Sequence, residues 1–121
     1  MEVLLDSSFI ISCVRKKIDF MDSLAQLGFR IILPREVFQE LRDLRTEVSR
    51  EDRIAIDLAL LMIETKGVKK MKLGGKTVDD GLITRGRQGA YIATLDNGIK
   101  KMIPNKVGIS ASKNDLEIFR D

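Results

Sequence analysis

The sequence predicts an α/β fold, a three-layer α/β/α sandwich around a central, mainly parallel sheet. Three observations carry this expectation. Short apolar runs such as Val3-Leu4-Leu5 and Tyr91-Ile92-Ala93-Thr94-Leu95 fit strands buried on both faces. Segments with helical spacing alternate with such runs along the whole chain. Two of the runs end abruptly in a carboxylate, Asp6 and Asp96, and each carboxylate is followed by a polar turn into a helix. In open α/β sheets, ligands bind at the carboxyl ends of the strands.

The first strand covers residues 2–6. Ser7 or Ser8 can cap the helix expected over 8–14, and Asp6 is equally readable as that cap. A second helical piece, 19–27, places Phe20, Leu24 and Leu27 on one face and stops at Gly28. Residues 29–33 form strand 2, and Pro34 suits the first turn of the helix over 35–44. That helix carries Val37, Leu41 and Leu44 on its inner stripe, with Glu40 beside the stripe. Ser49-Arg50-Glu51-Asp52 opens a long helix, about 50–65, apolar over much of its circumference and ended by Gly67. A lysine-rich, half-exposed strand is expected over 68–73, then a Gly74-Gly75 turn and a helix over 77–89 capped by Thr77. The strand over 91–95 leads to Asp96, an Asn97-Gly98 turn and a short helix over 99–103. Two short edge strands, 107–111 and 116–119, close the chain around Lys113-Asn114-Asp115.

The 121 residues make one domain, 1–121, with no repeat, linker or low-complexity tract. The composition, 44% hydrophobic and 32% charged, is that of an ordinary soluble domain. No stretch approaches the roughly 20 apolar residues of a membrane span. The first residues lack a basic region followed by an apolar block, so no membrane association and a cytoplasmic location are expected. Cys13 is the only cysteine and histidine is absent. Ser-His-Asp and Cys-His catalysis, HExxH zinc sites and thiolate metal sites are thereby excluded. Catalysis would have to use carboxylates, lysines, hydroxyls or a metal held by oxygen ligands, which favour Mg²⁺, Mn²⁺ or Ca²⁺.

The net charge of +3 matters less than its distribution. Five lysines and no acid fall between Lys66 and Lys76. Lys69, Lys70, Lys72, Lys76, Arg85 and Lys100 are candidate contacts to an RNA backbone, against the plainer reading of a solvated basic surface. At 5% aromatic residues, a base-stacking sheet of the OB or RRM kind is not expected.

The acids form a pattern. If the strands ending at Asp6 and Asp96 are central and parallel, their carboxylates meet on one sheet edge. Asp79 and Asp80 open the helix leading into the Asp96 strand, and Glu40 lies on the helix after strand 2. Packed carboxylates repel unless a cation offsets them. Acids on Mg²⁺ or Mn²⁺ are a toolkit for attack of water on a phosphodiester. Each residue also has a plainer reading: Glu40 as a solvated acid, Asp79 and Asp80 as partners of the helix dipole, Asp96 as a turn residue. Ser7, Ser8 and Thr94 read as caps or as hydroxyls that steady a metal-bound carboxylate.

Val3-Leu4-Leu5-Asp6-Ser7-Ser8, Phe38-Gln39-Glu40-Leu41, Asp80-Gly81-Leu82-Ile83 and Thr94-Leu95-Asp96 occur in this order over almost the whole chain. The set resembles the PIN domain, the PilT N-terminus-like nucleases. The resemblance implies a Mg²⁺- or Mn²⁺-dependent endoribonuclease. It implies Asp6, Glu40, Asp80 and Asp96 as the site acids, with Asp79 sharing or replacing the role of Asp80. It also implies RNA as partner, a homodimer, and either an antitoxin or a ribosome-assembly partner. The Asp-Asp-Gly-Leu-Ile wording and compact tail are nearer the ribosomal-RNA processing branch than the toxins. Without catalysis, the same surface would make an RNA-binding or assembly factor.

Overall fold

The computed structural model describes residues 1–120. Strand β1 (Glu2–Leu5) leads into α1 (Ser7–Arg15) and α2 (Phe20–Gln26). Strand β2 (Arg30–Pro34) follows, then α3 (Arg35–Leu44), α4 (Arg50–Lys66) and β3 (Lys69–Met71). The second half holds α5 (Val78–Arg87), β4 (Tyr91–Ala93), α6 (Asn97–Lys100), β5 (Lys106–Ser110) and β6 (Asp115–Phe119). The strands form one sheet in the order β3-β2-β1-β4-β5-β6, parallel except for β6, which pairs antiparallel with β5.

This order puts β1 in the interior beside β4, with Leu4 opposite Ile92 and Leu5 opposite Ala93. Val3, Leu4 and Leu5 are all fully buried, as a strand covered on both faces requires. Val3 and Leu5 pack with Phe9, Leu24, Val37 and Ile56 under α1–α4, whereas Leu4, Ile32 and Ile92 pack with Leu82, Ile99 and Ile103 under α5 and α6. The α/β/α layering expected from the sequence is present. No helix among the described residues is long and apolar enough to cross a membrane.

Several details differ from the sequence expectation. Of the two readings left open for the cap of α1, Asp6 is the one used; its Oδ1 accepts from the Ser7 N–H at 2.9 Å. Pro34 ends β2 and is the N-cap residue of α3 instead of lying in its first turn. The basic strand contracts to Lys69–Met71, the length that pairs with β2. Asn97 and Gly98 are the first residues of α6, because the Asp96 side chain caps that helix through Gly98 and Ile99. Strand β5 is interior; its hairpin partner β6 takes the edge. The long helix α4 buries Ala55, Ile56, Ala59 and Ile63 and leaves Ile54, Leu58 and Leu61 exposed.

Candidate active site

The parallel pairing of β1 and β4 fixes the centre of the site. The Asp6 N–H donates to the Ala93 carbonyl at 2.9 Å, so Asp6 leaves the sheet beside Thr94. Asp6 is only 6% exposed and Thr94 is fully buried. A buried carboxylate is costly unless it is well bonded. Here the Thr94 hydroxyl donates to Asp6 Oδ2 at 2.7 Å and the Ser8 hydroxyl donates to the same oxygen at 3.0 Å. Thr94 Oγ1 in turn accepts from the Asp96 N–H at 3.1 Å, and Ser8 Oγ accepts from the Leu95 N–H at 3.2 Å. Two hydroxyls thus fasten the end of β4 to the end of β1 and set Asp6 and Asp96 on one edge.

Two more acids approach from neighbouring helices. Glu40 on α3 accepts a short hydrogen bond from the Ser7 hydroxyl, which joins α3 to the start of α1. Asp79, in the first turn of α5, has its carboxyl pushed above the usual carboxylate range, first by burial, then by the charges of Asp96, Asp6 and Asp80. Both acids of the doublet lie in the first turn of α5. The sequence resemblance implies Asp80, with Asp79 sharing or replacing its role. The backbone N–H of Asp80 is taken by the Thr77 cap at 3.1 Å, and the helix turns by about 100° from one residue to the next.

The donor set suits a hard divalent cation. All four acids offer oxygen only, and among the described residues none is paired with a basic side chain. Asp96 Oδ1 takes the Gly98 and Ile99 N–H groups at 2.7 and 3.3 Å, which leaves Oδ2 open. Glu40 bonds Ser7 through one oxygen. Asp6 uses three of about four lone pairs. Among the described residues, no three acids converge tightly enough to chelate an ion as they stand.

A fifth acid escaped the sequence reading. Glu36, one turn before Glu40 on α3, accepts from the Leu73 N–H at 2.9 and 3.0 Å and from the Gly74 N–H at 2.9 Å. Burial alone would raise its carboxyl, but those two backbone donors and the charge of Lys72 outweigh it and hold the group below its ordinary value. The clamped segment leads straight into α5. Its closeness is allowed by Gly81, where a Cβ would lie 2.5 Å from the Leu73 side chain and 2.8 Å from the Gly74 carbonyl. Helix α3 thus presents Glu40 to the site and, through Glu36, holds the loop that delivers Asp79. The only signal for this in the sequence is an acid in a first helical turn, which the dipole explains equally well.

The expected basic contacts divide. Lys100 on α6 is one turn from Asp96, to whose carbonyl its N–H donates at 3.0 Å. Lys72 follows β3 beside Glu36, and Lys76 lies in the loop before α5. Arg85 instead lines a cavity with Glu2, Gln88 and Gly89, at the end of the sheet opposite the acids. Lys69, paired with Ile32 in the middle of β2, lines another with Phe29 and Arg30. Lys70 is occupied by Glu64 at 3.1 Å and stands 4.7 Å from the Phe38 ring centre. Of these three, only Arg85 sits at the end of the sheet opposite the acids; Lys69 and Lys70 stand opposite Ile32 and Leu33 of β2.

No curated protein matches the chain. A solved structure described as the PIN domain endonuclease Utp24 shares the fold, with a TM-score of 0.73 and 22% identity over 99% of this chain and 93% of that one. The family model described as a PIN like domain matches residues 3–111. The chain accordingly belongs to the family of PIN-like domains.

Proposed function

We propose that this protein is a metal-dependent endoribonuclease that hydrolyses RNA phosphodiesters at the edge carrying Asp6, Glu40, Asp79 and Asp96. The observation that carries the proposal is the hydroxyl-braced junction of β1 and β4, which holds a buried Asp6 and the adjacent Asp96 beside two helix-borne acids. Family membership supports a nuclease, and the PIN domain endonuclease of the same fold supports an endonucleolytic one.

Bound at these acids, Mg²⁺ or Mn²⁺ would lower the pKa of the attacking water and stabilise charge on the leaving oxygen. Asp6 and Asp96 would supply ligands from the strand ends, and Glu40 and Asp79 from the helices. Thr94 and Ser8 keep the Asp6 carboxylate oriented, as outer partners of metal ligands do. Lys100, beside the edge, offers a positive charge to the RNA backbone. The Asp79-Asp80-Gly81-Leu82-Ile83 segment supports a role in ribosomal-RNA processing over that of a toxin held by an antitoxin. The second reading is an RNA-binding or assembly factor without turnover, favoured by acids that do not converge as they stand. The test is cleavage of a labelled single-stranded RNA with Mn²⁺, with Mg²⁺ and with EDTA. Metal-dependent cutting is expected; RNA bound but uncut under every condition selects the binding factor.

A further inference from the structure

We infer that the concave surface between α6 and the β5–β6 hairpin is a nucleotide subsite, where the Phe119 ring stacks on an RNA base and Lys100 and Lys101 hold its phosphates. The inference rests on the nuclease reading and names where the strand runs beyond the acids.

The hollow measures about 450 Å³ and is lined by Asn97, Lys100, Lys101, Lys106 and Phe119. Three ammonium groups and no carboxylate line it. Phe119 is 46% exposed, whereas the other aromatic side chains are buried or half-buried. Of all the aromatic rings, the exposed one faces the lysines. Lys106 stands directly opposite Phe119 across the hairpin. Gly108, which pairs with Glu117, lies beside them; a Cβ there would lie 3.6 Å from Lys100 Nζ and 3.9 Å from Phe119 Cε2. The absent side chain leaves a flat space bracketed by an ammonium and a ring edge. Glu117 shares this strand face, two residues before Phe119, and does not line the hollow.

Lys106 Nζ donates to the Lys100 carbonyl at 2.9 Å and ties α6 to β5. Lys100 and Lys101 have no acidic partner among the described residues. Two free ammonium groups suit phosphate, and an exposed ring suits an unpaired base, since every base has a face to stack. α6 is capped by Asp96, so its lysines begin about one helical turn, roughly 5.4 Å, beyond a site acid, while Lys106 pairs with Ile92, level with Leu4 and two residues below Asp6 in the sheet. Bases inside a duplex cannot reach a ring, so the ligand is single-stranded.

The chain contains no tryptophan, so Phe119→Trp places a single tryptophan in the hollow, excited on the red edge of its absorption, apart from Tyr91. This variant is titrated in EDTA, which blocks turnover, with a short labelled oligoribonucleotide and with an abasic strand of equal length. The expected result is saturable quenching by the RNA, tracking its anisotropy, and none by the abasic strand. Phe119→Ala should weaken binding about tenfold, as loss of one base stack does. Lys100→Ala with Lys101→Ala should reduce the slope of log K against log salt by about 1.4, two phosphate contacts on a single strand. RNA that binds while tryptophan emission stays constant overturns the subsite, as does the absence of binding. Metal-dependent cleavage by the wild type is scored separately. Cleavage with a silent tryptophan removes the subsite and keeps the nuclease; quenching without cleavage does the reverse.

Discussion

Replacing Glu36 with Gln tests whether α3 holds the loop that delivers Asp79. The Glu36 carboxylate accepts two backbone N–H groups, those of Leu73 and Gly74, through three contacts of 2.9–3.0 Å. A hydrogen bond to a charged group contributes about 1.5–3 kcal/mol, so two donors set an upper limit of roughly 3–6 kcal/mol. Glu36 is only partly buried, and water can reach the freed N–H groups, so screening and relaxation reduce the loss. Glutamine keeps one acceptor oxygen and turns an NH₂ toward the second donor. The net cost is about 1–2 kcal/mol, a fall in Tm of roughly 3–8 °C for a chain of this size. The pH dependence has a definite sign. The folded-state pKa is depressed, so the stabilisation is complete above the unfolded value of about 4.3 and disappears as pH falls through the lower folded value. Thermal unfolding of wild type and Glu36→Gln at pH 7, and again stepwise below pH 5, should show a Tm gap that narrows on acidification. Equal melting at pH 7, or a gap that widens in acid, would refute the clamp.

The other expectations concern the hydroxyl brace, the helix packing and the lone thiol. Thr94→Val removes the hydroxyl that bonds Asp6 and Asp96 at nearly constant volume; it should cost about 1–3 kcal/mol and ten- to a hundredfold in cleavage rate, with Thr94→Ser restoring most of both. Denaturant titration and single-turnover kinetics report the two effects. Gly81→Ala would gain about 1 kcal/mol in an open helix, but its methyl meets the Leu73 side chain and the Gly74 carbonyl, so a lower Tm is expected, from overpacking of about 1–3 kcal/mol. Cys13 is fully buried and its thiol is pushed up to about 12 by burial, so it should resist Ellman's reagent at pH 8 until the protein unfolds.

The architecture was legible in the sequence because apolar period and turn chemistry are local signals. Val3-Leu4-Leu5 fits a strand covered on both faces, and Asp6 and Asp96 each stand at the break between an apolar run and a helix. What escaped depended on distance or direction. Nothing local says that β5 lies inside the sheet, since that requires β6 to pair with it. Which of Asp79 and Asp80 faces the site depends on helical phase, which the sequence does not show and the Asp79→Asn and Asp80→Asn variants test. Glu36 and the Leu73–Gly74 backbone are far apart in sequence, and a carboxylate bonded to backbone N–H groups has no side-chain partner to signal it. Arg85 was expected as an RNA contact, but chain direction puts it at the end of the sheet opposite the acids.

The most direct test of the nuclease site is single-turnover cleavage of a labelled single-stranded RNA in Mn²⁺ by wild type, Asp6→Asn, Asp79→Asn and Asp80→Asn, with folding of each checked by circular dichroism. The acid edge predicts loss of cleavage in Asp6→Asn and Asp79→Asn and near-normal cleavage in Asp80→Asn. Undiminished cleavage by Asp6→Asn, in a folded protein, would contradict it.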